Sequence, residues 1–319
     1  MRLMIGTPNI QPLARRPVLA IGNFDGQHRG HQAILARTVS WARKTGAPAA
    51  VLTFEPHPAQ VLWPTRTMRL LNTFQEKIRL IEGTGMDALF VAEFDASFAA
   101  QTPEAFVHHF LCEKIACAAV IVGEGYSFGK GRSGTVADLI RLGATLDFNV
   151  LVEPPVLMSG EVVSSSKIRT LIQDGAVALA GDMLGRPYTL RGKVVHGAGR
   201  GMSLGFPTAN LRLPQEVIPR TGIYAIRADI LNAEGIVSRE GVAYIGPSFG
   251  EVETRLEVHL FEWQEALYEK RLVVSFMDRI RDDRKFDGEA ALVLQMHQDV
   301  VRAKTILAAQ QGLSSGDAR

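Results

Sequence analysis

Residues 22–31, GNFDGQHRGH, set two histidines, an aspartate and three glycines directly behind the apolar run VLAIG. A turn leaving a buried strand lies where open α/β sheets bind ligands, beyond the carboxyl ends of the strands. Glycines let the backbone approach a ligand, and a helix starting near residues 29–31 aims free N–H groups and its positive dipole end at the same spot. Phosphate suits that combination. Gly22, Asn23, Phe24, Asp25 and Gly26 would surround it, while His28 and His31 would donate to its oxygens as charge builds during displacement. A surface turn whose histidines cap a helix explains the spacing alone equally well.

Other stretches carry further candidates. SSSKIR, 164–169, gathers three hydroxyls and two cations at an expected helix start, which suits a second phosphate cradle, although such a stretch alone is more often a simple N-cap with solvated charges. TFEPHP, 53–58, is a strand exit stiffened by two prolines, with a carboxylate and a histidine. Gly129, Gly131 and Gly134 spell G-x-G-x-x-G, with Glu153 beyond, which admits a dinucleotide site. That fingerprint needs its first glycine in the turn leaving the strand, and EGYSF intervenes here, so a loop over another ligand is the better reading.

In the second half, HGAGRGMSLG places Gly197, Gly199, Gly201 and Gly205 in a backbone suited to wrapping phosphates, without the Walker pattern. FPTAN follows. Its Thr208 and Asn210 offer hard oxygens on one side of an extended chain, fit for Mg²⁺ carrying a nucleotide, with an ordinary Pro-Thr turn as the alternative. Glu257 shares a strand face with His259 in RLEVHLFEW and could take a proton from a substrate hydroxyl, unless it merely faces solvent.

The elements that must hold these groups differ between the halves. From Pro17 to about Val156, continuous Val/Ile/Leu/Ala runs alternate with amphipathic helices, as in HQAILARTVSWARKTG, where Ile34, Leu35, Thr38, Val39 and Ala42 share a face. This predicts a doubly wound α/β domain, a Rossmann-like parallel sheet with helices on both faces. A helical bridge interrupted at Gly175 follows. After Tyr188, short alternating strands with Gly and Pro turns and no helices predict a small antiparallel β-barrel, closed by a C-terminal helix from about residue 288 and a frayed end. The predicted domains are 1–186 and 187–319.

Bulk properties narrow the function. The 319 residues carry 35 Lys+Arg against 33 Asp+Glu, a net charge of +2, so no global field argues for nucleic acid or an anionic membrane. Cys112 and Cys117 lack metal or redox spacing and read as core filling. No apolar run reaches the ~20 residues of a spanning helix, and residues 1–17 lack a secretory signal's apolar centre. A cytoplasmic protein acting on small molecules is expected, with self-association left open.

Taken together and in order, GNFDGQHRGH, TFEPHP, VGEGYSFGKGRSG, SSSKIR and LGRPY, then GKVVHGAGRGMSLGFPTANL, GIYA, EVHLFEW and IRDDRKF, resemble the prokaryotic bifunctional riboflavin kinase/FAD synthetase family over residues 17 to about 308. The resemblance implies a barrel that phosphorylates riboflavin with ATP and Mg²⁺ to FMN, and an α/β half, a nucleotidyltransferase with an H-x-G-H motif, that transfers AMP from ATP to FMN, giving FAD and pyrophosphate. It implies that Thr208 and Asn210 hold the metal nucleotide and that Glu257 accepts the proton of the ribityl 5′-hydroxyl. The loop at 196–205 would cover the phosphates, and Arg281 and Phe286 would lie where the flavin is closed over. His28 and His31 would serve the other triphosphate, assisted by Ser165, Ser166 and Arg169.

Three departures stand out. Gly125 replaces a usual Asn or Asp. Tyr244-Ile-Gly-Pro-Ser-Phe replaces an Asn-Ile-Gly and Thr-Arg-Pro-Thr-Phe-like loop, and Asp283 stands for a usual Glu. A chain with one efficient activity, or a flavin-binding regulatory or storage protein on a decayed scaffold, are the alternatives to two intact activities.

Overall fold

Strands too short to be stable alone assemble in the first half because both of their faces are apolar. In the computed structural model, which describes residues 1–65, 68–196, 200–212, 216–232, 235–247 and 254–314, β1 (Arg2–Ile5), β2 (Val18–Ile21), β3 (Ala49–Glu55), β4 (Ala88–Glu93), β5 (Ala119–Gly123) and β6 (Asn149–Glu153) form one parallel sheet in the order β1-β4-β3-β2-β5-β6. The helices are α1 (Arg29–Thr45), α2 (Pro58–Leu62), α3 (Phe74–Glu82), α4 (Ala96–Ala99), α5 (Pro103–Phe106) and α6 (Val136–Thr145). Val18 and Ala20 pack with Leu35, Val39 and Ala42 of α1 and Ile81 of α3, while Leu19 and Ile21 pack with Phe106, Phe110 and Leu139 from the other face. The three-layer α/β/α expectation holds, and Leu35, Thr38, Val39 and Ala42 are buried as α1's periodicity requires.

Two local features lie outside the sequence reading. The strand–helix alternation is traced only from Pro17 on, yet RLMI is the edge strand β1. It pairs with β4 alone and buries only Met4, so it shows no two-sided apolar run. The segment PEAFVHHFLCEK is α-helical for one turn and π-helical over Val107–Lys114.

A small hairpin, β7 (Leu157–Met158) and β8 (Glu161–Val162), follows. The chain divides into two compact units, Met1–Ser165 and Ser166–Arg319. In the second, α7 (Ser165–Gln173, starting at the boundary) and α8 (Val177–Leu184) break at Gly175, where φ is +85°. A closed antiparallel barrel follows, ordered β10-β13-β12-β11-β14-β9 from β9 (Tyr188–Val195), β10 (Ala209–Leu211), β11 (Gly222–Asn232), β12 (Gly235–Pro247), β13 (Thr254–Leu260) and β14 (Arg271–Arg281). Ala243, Ile245, Leu256 and Val258 are at most 1% exposed and fill it. Outside, Ala303 and Leu307 of α10 (Glu289–Ser314) cover Ile223, Ala225 and Met277. The barrel and its closing helix are as predicted. A short helix, α9 (Arg200–Ser203), stands where no helix was expected, hidden in sequence by the glycines around it. Of SSGDAR at 314–319, expected to fray, Ser314 ends α10 and residues 315–319 lie outside the described residues.

Candidate functional sites

The chain runs β2, β3, β4 to one side of the sheet, then returns to place β5 on the other side of β2. The crevice between β2 and β5 is therefore the switch point of the sheet. GNFDGQHRGH leaves β2 there, and the turn carrying Gly125 leaves β5 beside it. A Cβ on Gly125 would meet no atom within 4 Å, so the missing side chain leaves open space.

Inside the first turn, His28 caps α1: its Nδ1 accepts the His31 N–H at 3.3 Å, which leaves the proton of a neutral His28 on Nε2. The two rings stack with centroids 3.7 Å apart. Gly30 permits this, because a Cβ there would stand 3.2 Å from the His28 ring. Burial first, then His28 and Lys77, hold the His31 imidazolium well below its ordinary range, so the ring is neutral near pH 7 and donates through N–H rather than as a cation. Phe24 adopts φ +49° and Gln27 +39°, left-handed values that are costly for such side chains and typical of a backbone held for function.

Several residues of this turn face inward. Phe24 is fully buried, packs edge-on to His31 at 5.2 Å and lies over Gly22. Asp25 is 2% exposed, and its Oδ1 accepts the Leu71 N–H at 2.9 Å, while Gly26 N–H donates to Asn72 Oδ1 at 2.7 Å. Asn23 gives its carbonyl to the Thr53 hydroxyl. These side chains and amides tie the turn to its neighbours. Ser165, the last residue of the first unit, donates to the Asp25 carbonyl at 2.9 Å; Ser166 and Arg169 belong to the second unit, in the first two turns of α7.

Lys77 is a residue the sequence reading missed. Its side chain is 2% exposed, and Nζ lies 3.7 Å from Glu55 Oε2 with neither atom hydrogen-bonded. Burial lowers its pKa, opposed by Glu55 and Asp25. In EKIRLI a lysine looks like an ordinary solvated helix face, and only the packing of α3 buries it.

The G-x-G-x-x-G stretch is not a dinucleotide turn. Cβ atoms on Gly129 and Gly134 would strike Pro103 at 2.7 and 2.9 Å, so the glycines admit Pro103, and Phe128 bridges to Gly134. Glu153 is taken by Arg37 of α1 at 2.7 Å.

On the barrel, register aligns Asn210 of β10 with Glu257 of β13, Glu257 with Tyr244 of β12, Tyr244 with Ile223 of β11, and Ile223 with Arg281 of β14. Cross-strand partners share a face, and their neighbours along the strands fill the barrel, so this row looks outward. Asn210 is 7% exposed. Burial raises the Glu257 pKa, partly offset by Arg255, giving a carboxylate readier to take a proton than one in water. Thr208 precedes β10 beside α9, where a Cβ on Gly201 would come 2.9 Å from Thr208 Oγ1. Gly205 turns with φ +81°, whereas Gly197 and Gly199 lie outside the described residues. His259 Nδ1 contacts the Pro207 carbonyl at 2.9 Å, and Phe206 meets the rings of His259 and His297.

Arg281 forms a forked pair with Asp299 of α10, its Nε and terminal nitrogen 2.7–3.1 Å from both carboxylate oxygens. Its guanidinium lies 5.7 Å from the Phe286 ring. These two expected flavin neighbours are thus adjacent to each other. Among the described residues no group of three or more His, Cys, Asp or Glu could hold a metal. Thr208 and Asn210 carry a hydroxyl and an amide oxygen, hard donors of the kind a nucleotide-bound cation takes. No helix among the described residues is long and apolar enough to cross a membrane.

Known proteins match both halves. A family model for FAD synthetase covers residues 10–167, and one for riboflavin kinase covers 184–307. The bifunctional riboflavin kinase/FMN adenylyltransferase of Escherichia coli (strain K12) is 33% identical over 95% of this chain and 97% of its own length. The Pseudomonas fluorescens protein of the same description is 35% identical over 97% and 98%. A crystal structure described as a macrolide-efflux protein from Streptococcus pneumoniae superposes with a TM-score of 0.83 at 30% identity, over 94% of this chain and 99% of that one. With both catalytic domains present in order and full-length relatives that carry both, the chain belongs to the bifunctional riboflavin kinase/FMN adenylyltransferase family.

Proposed function

We propose that the protein performs its family's two transfers at separate sites, riboflavin to FMN on the barrel and FMN to FAD on the parallel sheet, with the functional division at 186/187 and both reactions in the cytoplasm. The protein is a riboflavin kinase and FMN adenylyltransferase, using ATP in each step. In the first, the ribityl 5′-hydroxyl attacks the γ-phosphorus of ATP, Glu257 takes the hydroxyl proton, and ADP departs. Thr208 and Asn210 would hold Mg²⁺, which when bound neutralises phosphate charge, while Gly197, Gly199, Gly201 and Gly205 lend backbone to the nucleotide. Arg281 and Phe286 border the flavin.

In the second step a phosphate oxygen of FMN attacks the α-phosphorus of another ATP, and pyrophosphate leaves. That nucleophile is already anionic, so no base is needed. His28 and His31 donate N–H groups to the phosphates, Ser165, Ser166 and Arg169 assist, and Gly22 to Gly26 shape the turn. The observation that carries the reading is the coexistence in one chain of the stacked histidine pair at the sheet's switch point and the Asn210–Glu257 row on the barrel.

The test is direct. Purified protein given riboflavin, ATP and Mg²⁺ yields FMN and then FAD by chromatography. Glu257→Ala stops FMN formation but keeps FAD formation from supplied FMN, and His28→Ala with His31→Ala does the reverse. Flavin binding without either product defeats the proposal in favour of a storage protein, and a Glu257 variant that loses both activities defeats the two-site assignment.

A further inference from the structure

The residue beside Glu257 in the barrel row is Tyr244. Its hydroxyl donates to Asp283 Oδ2 at 3.0 Å. The phenol runs along its own strand: a Cβ on Gly246 would come within 2.1 Å of the Tyr244 hydroxyl, so the ring occupies space that only a glycine two residues on leaves open. Asp283 belongs to residues 281–286, the link from β14 toward α10. That link is tied to the helix at two points, by Arg281 to Asp299 and by Arg284 to Gln295. On its other side, Tyr244 joins it to the strand next to Glu257.

Resting on the kinase reading above, we propose that Tyr244 is a positioning residue for phosphoryl transfer to riboflavin: its hydroxyl holds Asp283, and so seats residues 281–286, with Phe286, beside the Glu257 carboxylate where the flavin docks. An asparagine is too short to run along the strand to Asp283, whereas the phenol spans the gap. Because the bond orders a binding wall and leaves Glu257 in place, it acts on substrate affinity more than on turnover.

The experiment uses the full-length protein and measures FMN formation against riboflavin concentration for wild type, Tyr244→Phe, Asp283→Asn and the double variant. A charge-assisted hydrogen bond at a partly exposed position predicts that either single change raises KM for riboflavin about three- to tenfold with kcat within about twofold. The double variant should match the singles rather than multiply them. FAD formation from supplied FMN reports on the fold and stays at the wild-type level. Unchanged KM in Tyr244→Phe, an equal loss of kcat, or multiplicative effects overturn the role of Tyr244. Absence of FMN from the wild-type protein overturns the kinase reading itself.

Discussion

Glu257 combines two properties that pull against each other. Burial raises its pKa, so the folded chain binds its proton more tightly than the unfolded chain does, and fold stability falls as pH rises from the ordinary glutamate value through the folded one. Above that window the full penalty is present. Glu257→Gln should therefore raise the thermal midpoint at pH 7 while abolishing FMN formation, and the acid limb of wild-type kinase kcat/KM should lie above pH 4.5, the ordinary glutamate value. Calorimetry and a pH–rate profile check both. His31 shifts the other way. With its folded pKa depressed, the unfolded state takes up protons first, so stability is lost as pH falls below the ordinary histidine value of 6.5. His31→Gln should flatten the thermal midpoint between pH 6.5 and 5 relative to wild type. At Gly125, where a Cβ meets nothing within 4 Å, Gly125→Asn should leave the thermal midpoint within about a degree and lower KM for ATP or FMN in FAD formation. At this scale the types of the site residues were legible and their orientation was not. Asp25 and Phe24 look like ligand contacts in a glycine-rich turn, yet their side chains are spent on Leu71 and on the core. Lys77 gave no signal because burial of one helical lysine depends on what packs over it.

At the scale of elements, the readable signals were the long or wholly apolar ones. Strands β2 to β5 announce themselves by runs apolar on both faces, and α1 by a stripe ending at Gly46. Strands β1 and β10 and helix α9, of three or four residues each, carry too few positions for a period to show and, unlike the equally short β2, include a polar residue. Their importance is out of proportion to their length. Strand β10 sets Asn210 against Glu257, and α9 brings Gly201 against Thr208. A Cβ on Gly201 would meet the Phe206 carbonyl at 2.4 Å. Gly201→Ala should accordingly push Thr208 off its place and weaken kinase use of ATP at least tenfold, as KM for ATP in FMN formation, with FAD formation from FMN unaffected. In the first unit Gly30 plays the corresponding part, letting the His28 ring settle over α1. Its need for a bare Cα appears only once the helix is formed.

For the whole molecule, the order of motifs and the change from strand–helix alternation to short alternating strands indicated two architectures and their sequence. Helices α7 and α8 were read as a bridge, and within the second unit α8 buries Val177, Ala180, Met183 and Leu184 while packing on β14 and β9. A fragment starting at residue 166 should therefore melt at a higher temperature than one starting at 187, even though both retain Thr208, Asn210 and Glu257; thermal denaturation of the two fragments decides it. The sequence by itself determined the chemistry on offer, namely paired histidines at a helix start, hard oxygens in FPTAN and a carboxylate on a strand, because residue type and local spacing are written in the chain. Tertiary structure alone decided which of those groups meet. Strand order makes the β2–β5 crevice the switch point and brings Gly125 beside the histidine turn, and barrel register sets Asn210, Glu257 and Tyr244 in one row. The physical reason is that these contacts join residues tens to a hundred positions apart, and packing of the apolar faces, not local spacing, fixes their alignment.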